Sequence, residues 1–135
     1  MAETTHRIQH PRTNPTKLIH NNLTGQTNHF SRAAPEKIPY AIERFKKETL
    51  RTYGVLEIQL SGKYSGEARE YLAGSGKGKY SVADIKTWPW VKGWEKTGFT
   101  AEDMKPFPHL KKWIDRIAER PAVQRGIGEE YNLKK

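Results

Sequence analysis

The segment Ser81-Val82-Ala83-Asp84 fixes the start of a helix more firmly than any other part of this chain. In such a capping box the serine hydroxyl accepts from the Asp84 amide, and the Asp84 carboxylate accepts from the Ser81 amide. Tyr80 and Ile85 flank the box at the spacing of a hydrophobic staple. A cap of this kind contributes about 1 kcal/mol, which is enough to define a helix boundary. Ser81 and Asp84 are therefore predicted to be the folding landmark of the chain.

Apolar side chains at three- and four-residue steps predict three main helices. One runs from about Pro39 to Leu60, with proline in the first turn, where its missing amide costs nothing. The capped helix runs from Val82 toward Thr97 with a kink at Pro89. A third helix runs from about Pro108 to Glu119, is stopped by Arg120-Pro121, and is followed by a short turn over 122–127. The predicted buried positions are Ile42, Phe45, Thr49, Tyr53, Leu56 and Leu60, then Ile85, Trp88, Val91 and Trp94, then Leu110, Trp113, Ile114 and Ile117.

The segment 61–79 contains five glycines and predicts a loop with one short turn of helix around Tyr71-Leu72-Ala73. Within it, Gly74-Ser75-Gly76-Lys77-Gly78-Lys79 superficially resembles a phosphate-binding loop. A Walker-type loop requires G-x-x-x-x-G-K-[ST] after a buried strand, and neither is present. Because no segment alternates apolar and polar residues with period two, the predicted fold class is all-α.

Charge and composition narrow the classes of partner. The 135 residues suit a single domain, and 24 basic against 15 acidic residues give a formal net charge of +9. The basic residues are mixed with acids, as on a solvated helix face, which argues against a dedicated nucleic-acid surface. The chain has no cysteine, so it forms no disulfide and supplies no thiolate.

Targeting and metal signals are weak. No apolar run approaches the roughly 20 residues of a membrane span, and the N-terminus lacks a signal-peptide core, so a soluble, cytoplasmic protein with no membrane partner is expected. The spacing of His6, His10, His20 and His29 matches no compact ligand set, so no metal site is expected. Residues 1–24 lack periodicity and predict a flexible arm, before a helical domain over 25–128 and a charged tail over 129–135.

Several motifs occur in a fixed order along the chain. They include Gly25-Gln26-Thr27-Asn28-His29-Phe30, Ile38-Pro39-Tyr40-Ala41-Ile42-Glu43-Arg44-Phe45, Arg51-Thr52-Tyr53-Gly54-Val55-Leu56, Tyr80-Ser81-Val82-Ala83-Asp84-Ile85, Trp88-Pro89-Trp90-Val91 and Arg120-Pro121-Ala122-Val123-Gln124. In this order they resemble the C-terminal helical domain of cytosolic glutathione transferases, specifically the nu-class and yeast prion-regulator branch of bacteria and fungi. The capping box is shared across nearly all classes of that family, whereas the run from Ile38 to Arg44 and the Trp88-Pro89-Trp90 motif point to this branch.

The resemblance implies a set of site residues. In this branch the arginine of the Glu-Arg pair contacts glutathione, which assigns that role to Arg44; the alternative is an ion pair with Glu48 one turn later. Asn28 and His29 correspond to a helix end near the active-site cleft and are candidates for the substrate pocket, the alternative being a solvated helix end. Tyr40 and the tryptophans Trp88, Trp90 and Trp94 are candidates for stacking on a planar substrate, with core packing as the alternative for all but one.

The resemblance also implies what a complete transferase adds. Such an enzyme begins with a thioredoxin-like domain that holds most of glutathione and stabilises its thiolate, and these 135 residues show no βαβ pattern. The expected fold is therefore a helical bundle incomplete on its N-terminal side, covered by a homodimer or by a partner chain that supplies the thioredoxin-like domain. The implied function is glutathione-dependent conversion of an aromatic electrophile, as in fungal secondary metabolism, with activity of the chain alone left open. The alternatives are a non-catalytic interaction module and a truncated, inactive fragment.

Overall fold

The computed structural model describes residues 22–128, and over that range the chain is helical with connecting loops and no strand. The all-α prediction is confirmed. Residues 1–21 of the predicted arm and the tail over 129–135 lie outside the described residues, and α1 begins within the last three residues of that arm. The elements are α1 (Asn22–Asn28), a π-helical turn (His29–Ala33), α2 (Pro39–Ser61), α3 (Val82–Val91), a 3-10 turn (Trp94–Thr97), α4 (Ala101–Met104), α5 (Pro108–Ala118) and α6 (Pro121–Gly126).

The core lies between α2, α3 and α5, and most of its predicted members are buried. Full burial of an aliphatic or aromatic side chain contributes about 1.5 to 3 kcal/mol, so this cluster provides most of the stability of a small domain. None of the helices within residues 22–128 combines the length and apolar composition that a membrane crossing requires. The core side chains include Tyr53, Leu56, Leu60, Trp88, Val91, Met104, Leu110, Trp113 and Ile117.

Asp84 forms the predicted capping box and also joins three parts of the core. Its Oδ2 accepts from the Ser81 amide at 3.0 Å, and the Ser81 hydroxyl accepts from the Ala83 amide at 3.3 Å. Its Oδ1 accepts from the Leu72 amide at 3.0 Å and from the Trp113 indole Nε1 at 2.9 Å. The carboxylate is fully buried. One side chain thus caps α3, fixes the preceding loop and binds α5.

The predicted extent and buried face of α3 need correction. The helix ends at Val91, and the chain then forms a 3-10 turn that carries Trp94, which is only partly buried. Ile85 is 54% exposed. The buried face is set by Asp84, Thr87, Trp88 and Val91, and Ile85 lies about 100° around the helix from Asp84. The cap therefore marks the start of α3 correctly, but the phase of its buried face follows Asp84 and not Ile85.

The glycine-rich segment after α2 is a loop, as predicted, but the short helix expected around Tyr71-Leu72-Ala73 is wrong. Ala73 instead pairs with Lys79 in an isolated antiparallel bridge. The segment is held by distant groups, because the Arg69 amide donates to the Leu60 carbonyl and the Leu72 amide to Asp84. Gly62 ends α2 at φ 70°, where a Cβ would lie 1.8 Å from the Glu67 carbonyl oxygen, so this turn requires glycine.

The helices after the loop agree well with expectation. The predicted helix from Pro108 is α5, its four predicted apolar side chains are buried, and α6 follows directly at Pro121. A contact that sequence spacing does not show positions its first turn. The Glu57 carboxylate on α2 accepts from the amides of His109 and Leu110, and contacts the His109 ring nitrogen at 2.6 Å. A side chain from α2 therefore caps α5.

The Tyr53 hydroxyl is buried without a hydrogen-bond partner among the described residues, and burial raises the pKa of this phenol. Removing an unsatisfied buried hydroxyl removes a desolvation penalty. We expect Tyr53→Phe to raise the free energy of unfolding by about 1 kcal/mol in urea denaturation. Tyr64→Phe is the control, since Tyr64 is 83% exposed and should leave stability unchanged. A clear loss of stability in Tyr53→Phe would show that its hydroxyl is bonded in solution.

Candidate functional site

The first half of α2 forms one wall of an open cleft of about 320 Å³. The residues along this wall recur at helical steps, so their side chains lie on one face of α2. Arg44 and Tyr40, two of the predicted site residues, both line this cleft. Among the described residues the lining consists of Tyr40, Glu43, Arg44, Lys47 and Glu48.

The guanidinium of Arg44 is exposed, and no described residue forms an ion pair or hydrogen bond with it. The alternative of a pair with Glu48 is therefore not formed. Glu48 instead accepts from Arg51 Nε at 2.9 Å. A guanidinium presents its N–H donors in a planar fork that matches a carboxylate. Arg44 is thus available for an anionic group that enters the cleft.

An apolar groove of about 720 Å³ adjoins this cleft along the same helix. It is lined by the side chains of Pro39, Ile42 and Leu50, together with the stem of Lys46. Glu43 and Lys47 line both depressions, so the charged cleft and the apolar groove lie on either side of this pair. The cleft and the groove together offer a charged binding surface next to an apolar one.

The C-terminal end of α1 and the π-helical turn that follows it each contact α2. The hydroxyls of Thr27 and Thr49 lie 2.9 Å apart in a buried hydrogen bond. The rings of Phe30 and Phe45 stack with centroids 5.3 Å apart at an interplanar angle of 7°. Since Phe45 follows Arg44 in sequence, this stack places the π-helical turn beside the part of α2 that carries the cleft.

The structure does not bring all predicted site residues together. Asn28 and His29 are exposed at the junction of α1 with the π-helical turn. They are not among the residues that line the Arg44 cleft. The His29 ring packs edge-on against Phe30 at 5.1 Å. His29 is therefore connected to α2 through Phe30, which stacks on Phe45, whereas Arg44 and Tyr40 line the cleft.

The aromatic candidates divide by burial. Trp88 is buried, and its indole donates to the Ile114 carbonyl at 2.9 Å, so it is a core residue. Trp90 is 38% exposed and Tyr40 is 72% exposed, which leaves both rings accessible.

Residues 22–128 contain no group of three or more side chains arranged to hold a metal ion. Sequence reasoning missed Glu43 and Lys47, although their three-residue steps from Tyr40 and Arg44 point to them.

Known proteins resemble this chain over the helical segments described above. The family of glutathione S-transferase C-terminal domains matches residues 25–121. The disulfide-bond oxidoreductase YfcG of Escherichia coli (strain K12) is 41% identical over 105 residues, which cover 78% of this chain and 43% of that protein. The glutathione S-transferase-like protein tpcF of Aspergillus fumigatus is 38% identical over 118 residues, covering 79% of this chain and 48% of that protein.

A solved structure also aligns with most of this chain but only with part of its own. The structure of the yeast protein Ure2p in complex with glutathione aligns with a TM-score of 0.66 and 29% identity, covering 78% of this chain and 47% of the other. This chain therefore spans about half the length of the relatives that it matches. The matched half corresponds to the all-α part described above.

Proposed function

The chain belongs to the family of glutathione S-transferase C-terminal domains, and from that premise we propose that its Arg44 cleft binds a carboxylate of glutathione. The observation that carries the proposal is the exposed Arg44 guanidinium, which lines the cleft and has no ion-pair partner among the described residues. A guanidinium and a carboxylate form two parallel charge-assisted hydrogen bonds.

The charges of the cleft suit this ligand. Glutathione carries two carboxylates and one ammonium group. Arg44 and Lys47 offer positive charge, and Glu43 offers a carboxylate for the ammonium. Glu48 is already engaged by Arg51 at 2.9 Å. A mixed lining of this kind favours a zwitterionic ligand over a purely anionic one, and the similar protein Ure2p forms a complex with glutathione.

The proposed reaction is glutathione-dependent conversion of an aromatic electrophile. The apolar groove of about 720 Å³ offers the surface for the electrophile, with Tyr40, Asn28 and His29 on the substrate side. Activation of the thiol requires a donor aimed at the sulfur. In this proposal a thioredoxin-like domain provides it, either in a partner chain or in a longer form of this protein, and the assembly is a homodimer or a complex with such a chain. The proposal places this reaction in fungal secondary metabolism, and the similarity to the glutathione S-transferase-like protein tpcF of a fungus supports its glutathione-dependent part.

A non-catalytic interaction module is the second candidate, and the exposed face of α3 favours it. Val82 is 74% exposed, Ile85 54% and Trp90 38%. Three large apolar side chains on one short helix are more than isolated surface exposure requires. In this alternative the helical domain holds another protein, and the Arg44 cleft takes no part.

Arg44→Ala tests the proposed ligand. Calorimetric titration of the chain with reduced glutathione should give saturable binding, and the substitution should weaken it at least about tenfold, because a charge-assisted hydrogen bond contributes about 1.5 to 3 kcal/mol. Arg125→Ala is the matched control, since Arg125 is exposed on α6 and does not line the cleft.

Two results would count against the proposal. Equal affinity in the wild-type chain and Arg44→Ala would remove Arg44 from the site. Saturable binding that both substitutions weaken alike would reflect only the net positive charge of the chain.

A further inference from the structure

Another pocket, of about 290 Å³, lies between the glycine-rich loop and α5 and has no role in the proposed function. It is formed by two segments that are more than thirty residues apart in sequence, so neither segment alone shows it. We call it the basic pocket. Its polar side chains are Arg69, Glu70, Lys77, His109, Lys112 and Arg116.

The lining is strongly positive. Arg69, Lys77, Lys112 and Arg116 each contribute one positive charge, and Glu70 is the one acid among the described residues of the lining. Glu70 Oε1 lies 4.0 Å from Lys77 Nζ, with both side chains largely in solvent, so this pair is weak. The His109 ring is already engaged by Glu57 at 2.6 Å. Counting these five charged side chains, the pocket carries a net charge of about +3.

Both arginines are held in position by backbone carbonyls. Arg116 Nη1 donates to the Glu70 carbonyl at 3.1 Å. Arg69 donates through Nε to the Tyr71 carbonyl at 3.4 Å and through Nη2 to the Gly74 carbonyl. Each guanidinium has five N–H groups, so these bonds orient the group and leave further donors for a ligand. The side chains are therefore preorganised, which lowers the entropy lost on binding.

We propose that the basic pocket binds a small anion that carries at least two phosphate groups. Four cations in one concave site of this size match a ligand with three or four negative charges, and glutathione, with a net charge of about −1, does not supply them. An extended nucleic acid fits less well, because Arg120, the next cation after α5, is already engaged: its guanidinium carbon lies 3.7 Å from the centroid of the Tyr80 ring. The Gly74–Lys79 segment contributes the Lys77 side chain and not a Walker-type backbone cradle.

The test uses inorganic pyrophosphate and adenosine triphosphate, without added metal, in calorimetric titrations of the chain. We expect saturable binding of both, with a Kd below about 1 mM. Similar affinities for the two ligands would show that the phosphate chain is recognised, and tighter binding of the nucleotide would add a contact to its nucleoside. The variant Lys77→Gln/Lys112→Gln should weaken pyrophosphate binding at least about tenfold. Both lysines are exposed, so the variant should fold.

Lys111→Gln is the matched control, because Lys111 is an exposed neighbour on α5 that does not line the pocket. It should change pyrophosphate affinity less than twofold when combined with Lys63→Gln, which equals the charge change of the test variant. Equal weakening by both double variants, or no saturable binding of pyrophosphate, would overturn the proposal. Binding of long single-stranded RNA without binding of pyrophosphate would assign the surface to nucleic acid instead.

Discussion

Replacing Asp84 with alanine should lower the free energy of unfolding by about 3 to 5 kcal/mol. The substitution leaves the buried donors of Leu72 and Trp113, and the partly buried amide of Ser81, without their acceptor. A donor left unsatisfied in the interior costs about 1 to 3 kcal/mol. A small domain has a total stability of only about 5 to 15 kcal/mol. Urea denaturation followed by circular dichroism measures the difference.

The second capping box of the chain gives the control. Asp103 accepts from the Thr100 amide at 2.8 Å, and this bond lowers the pKa of its carboxyl. Unlike Asp84, it bonds no group in the core, so Asp103→Ala should cost only about 0.5 to 1 kcal/mol. Equal losses in the two variants would mean that Asp84 acts as a helix cap alone and that its bonds to Leu72 and Trp113 contribute nothing.

Replacing Trp113 with alanine should cost about 3 to 5 kcal/mol, the largest effect expected for a single core side chain. Trp113 is fully buried on α5, and its indole donates to Asp84 at 2.9 Å. The substitution removes the apolar contact of the ring, leaves a cavity and deprives Asp84 of one donor. Because the two residues are bonded, Asp84→Ala and Trp113→Ala should not be additive in a double-mutant cycle.

Trp90→Ala tests whether the loss of stability expected in Trp113→Ala is caused by the burial of that side chain. This substitution removes the same indole side chain, but Trp90 is 38% exposed at the end of α3. We therefore expect the free energy of unfolding to fall by less than about 1 kcal/mol. A loss in Trp113→Ala no greater than in Trp90→Ala, by chemical denaturation, would contradict the packing of α5 described above.

The helices could be predicted where a local signal and the tertiary packing agree. Pro39, the Ser81 cap and Pro108 mark helix starts that the structure confirms. Prediction from the local sequence was wrong where a contact with a residue distant in sequence determines the structure. Ile85 is exposed because the phase of α3 follows the bonds of Asp84 to Leu72 and Trp113. Segment 71–73 is no helix because its backbone bonds to Asp84 and to Lys79.

The candidate sites show the same division. Arg44 could be named because the chain resembles a family in which that arginine contacts glutathione, and Tyr40 because it is an aromatic candidate of the same run; the structure places both along one cleft. The ion-pair partner of Glu48 could not be predicted from sequence, because Arg44 and Arg51 are both at helical spacing from it. Only the structure shows that Arg51 binds it. The basic pocket could not be predicted because its cations come from a loop and a helix that sequence spacing does not relate. The assignments of Asn28 and His29 to the substrate side stay predictions.

The most direct test of the Arg44 cleft is a nuclear magnetic resonance titration of arginine-labelled protein with reduced glutathione. Glutathione bound there should shift the Arg44 side-chain Nε–H signal along a saturable curve. The signals of Arg116 and Arg125, which do not line this cleft, should remain in place. An unmoved Arg44 signal at saturating glutathione, or equal shifts at all three arginines, would contradict a glutathione site on α2.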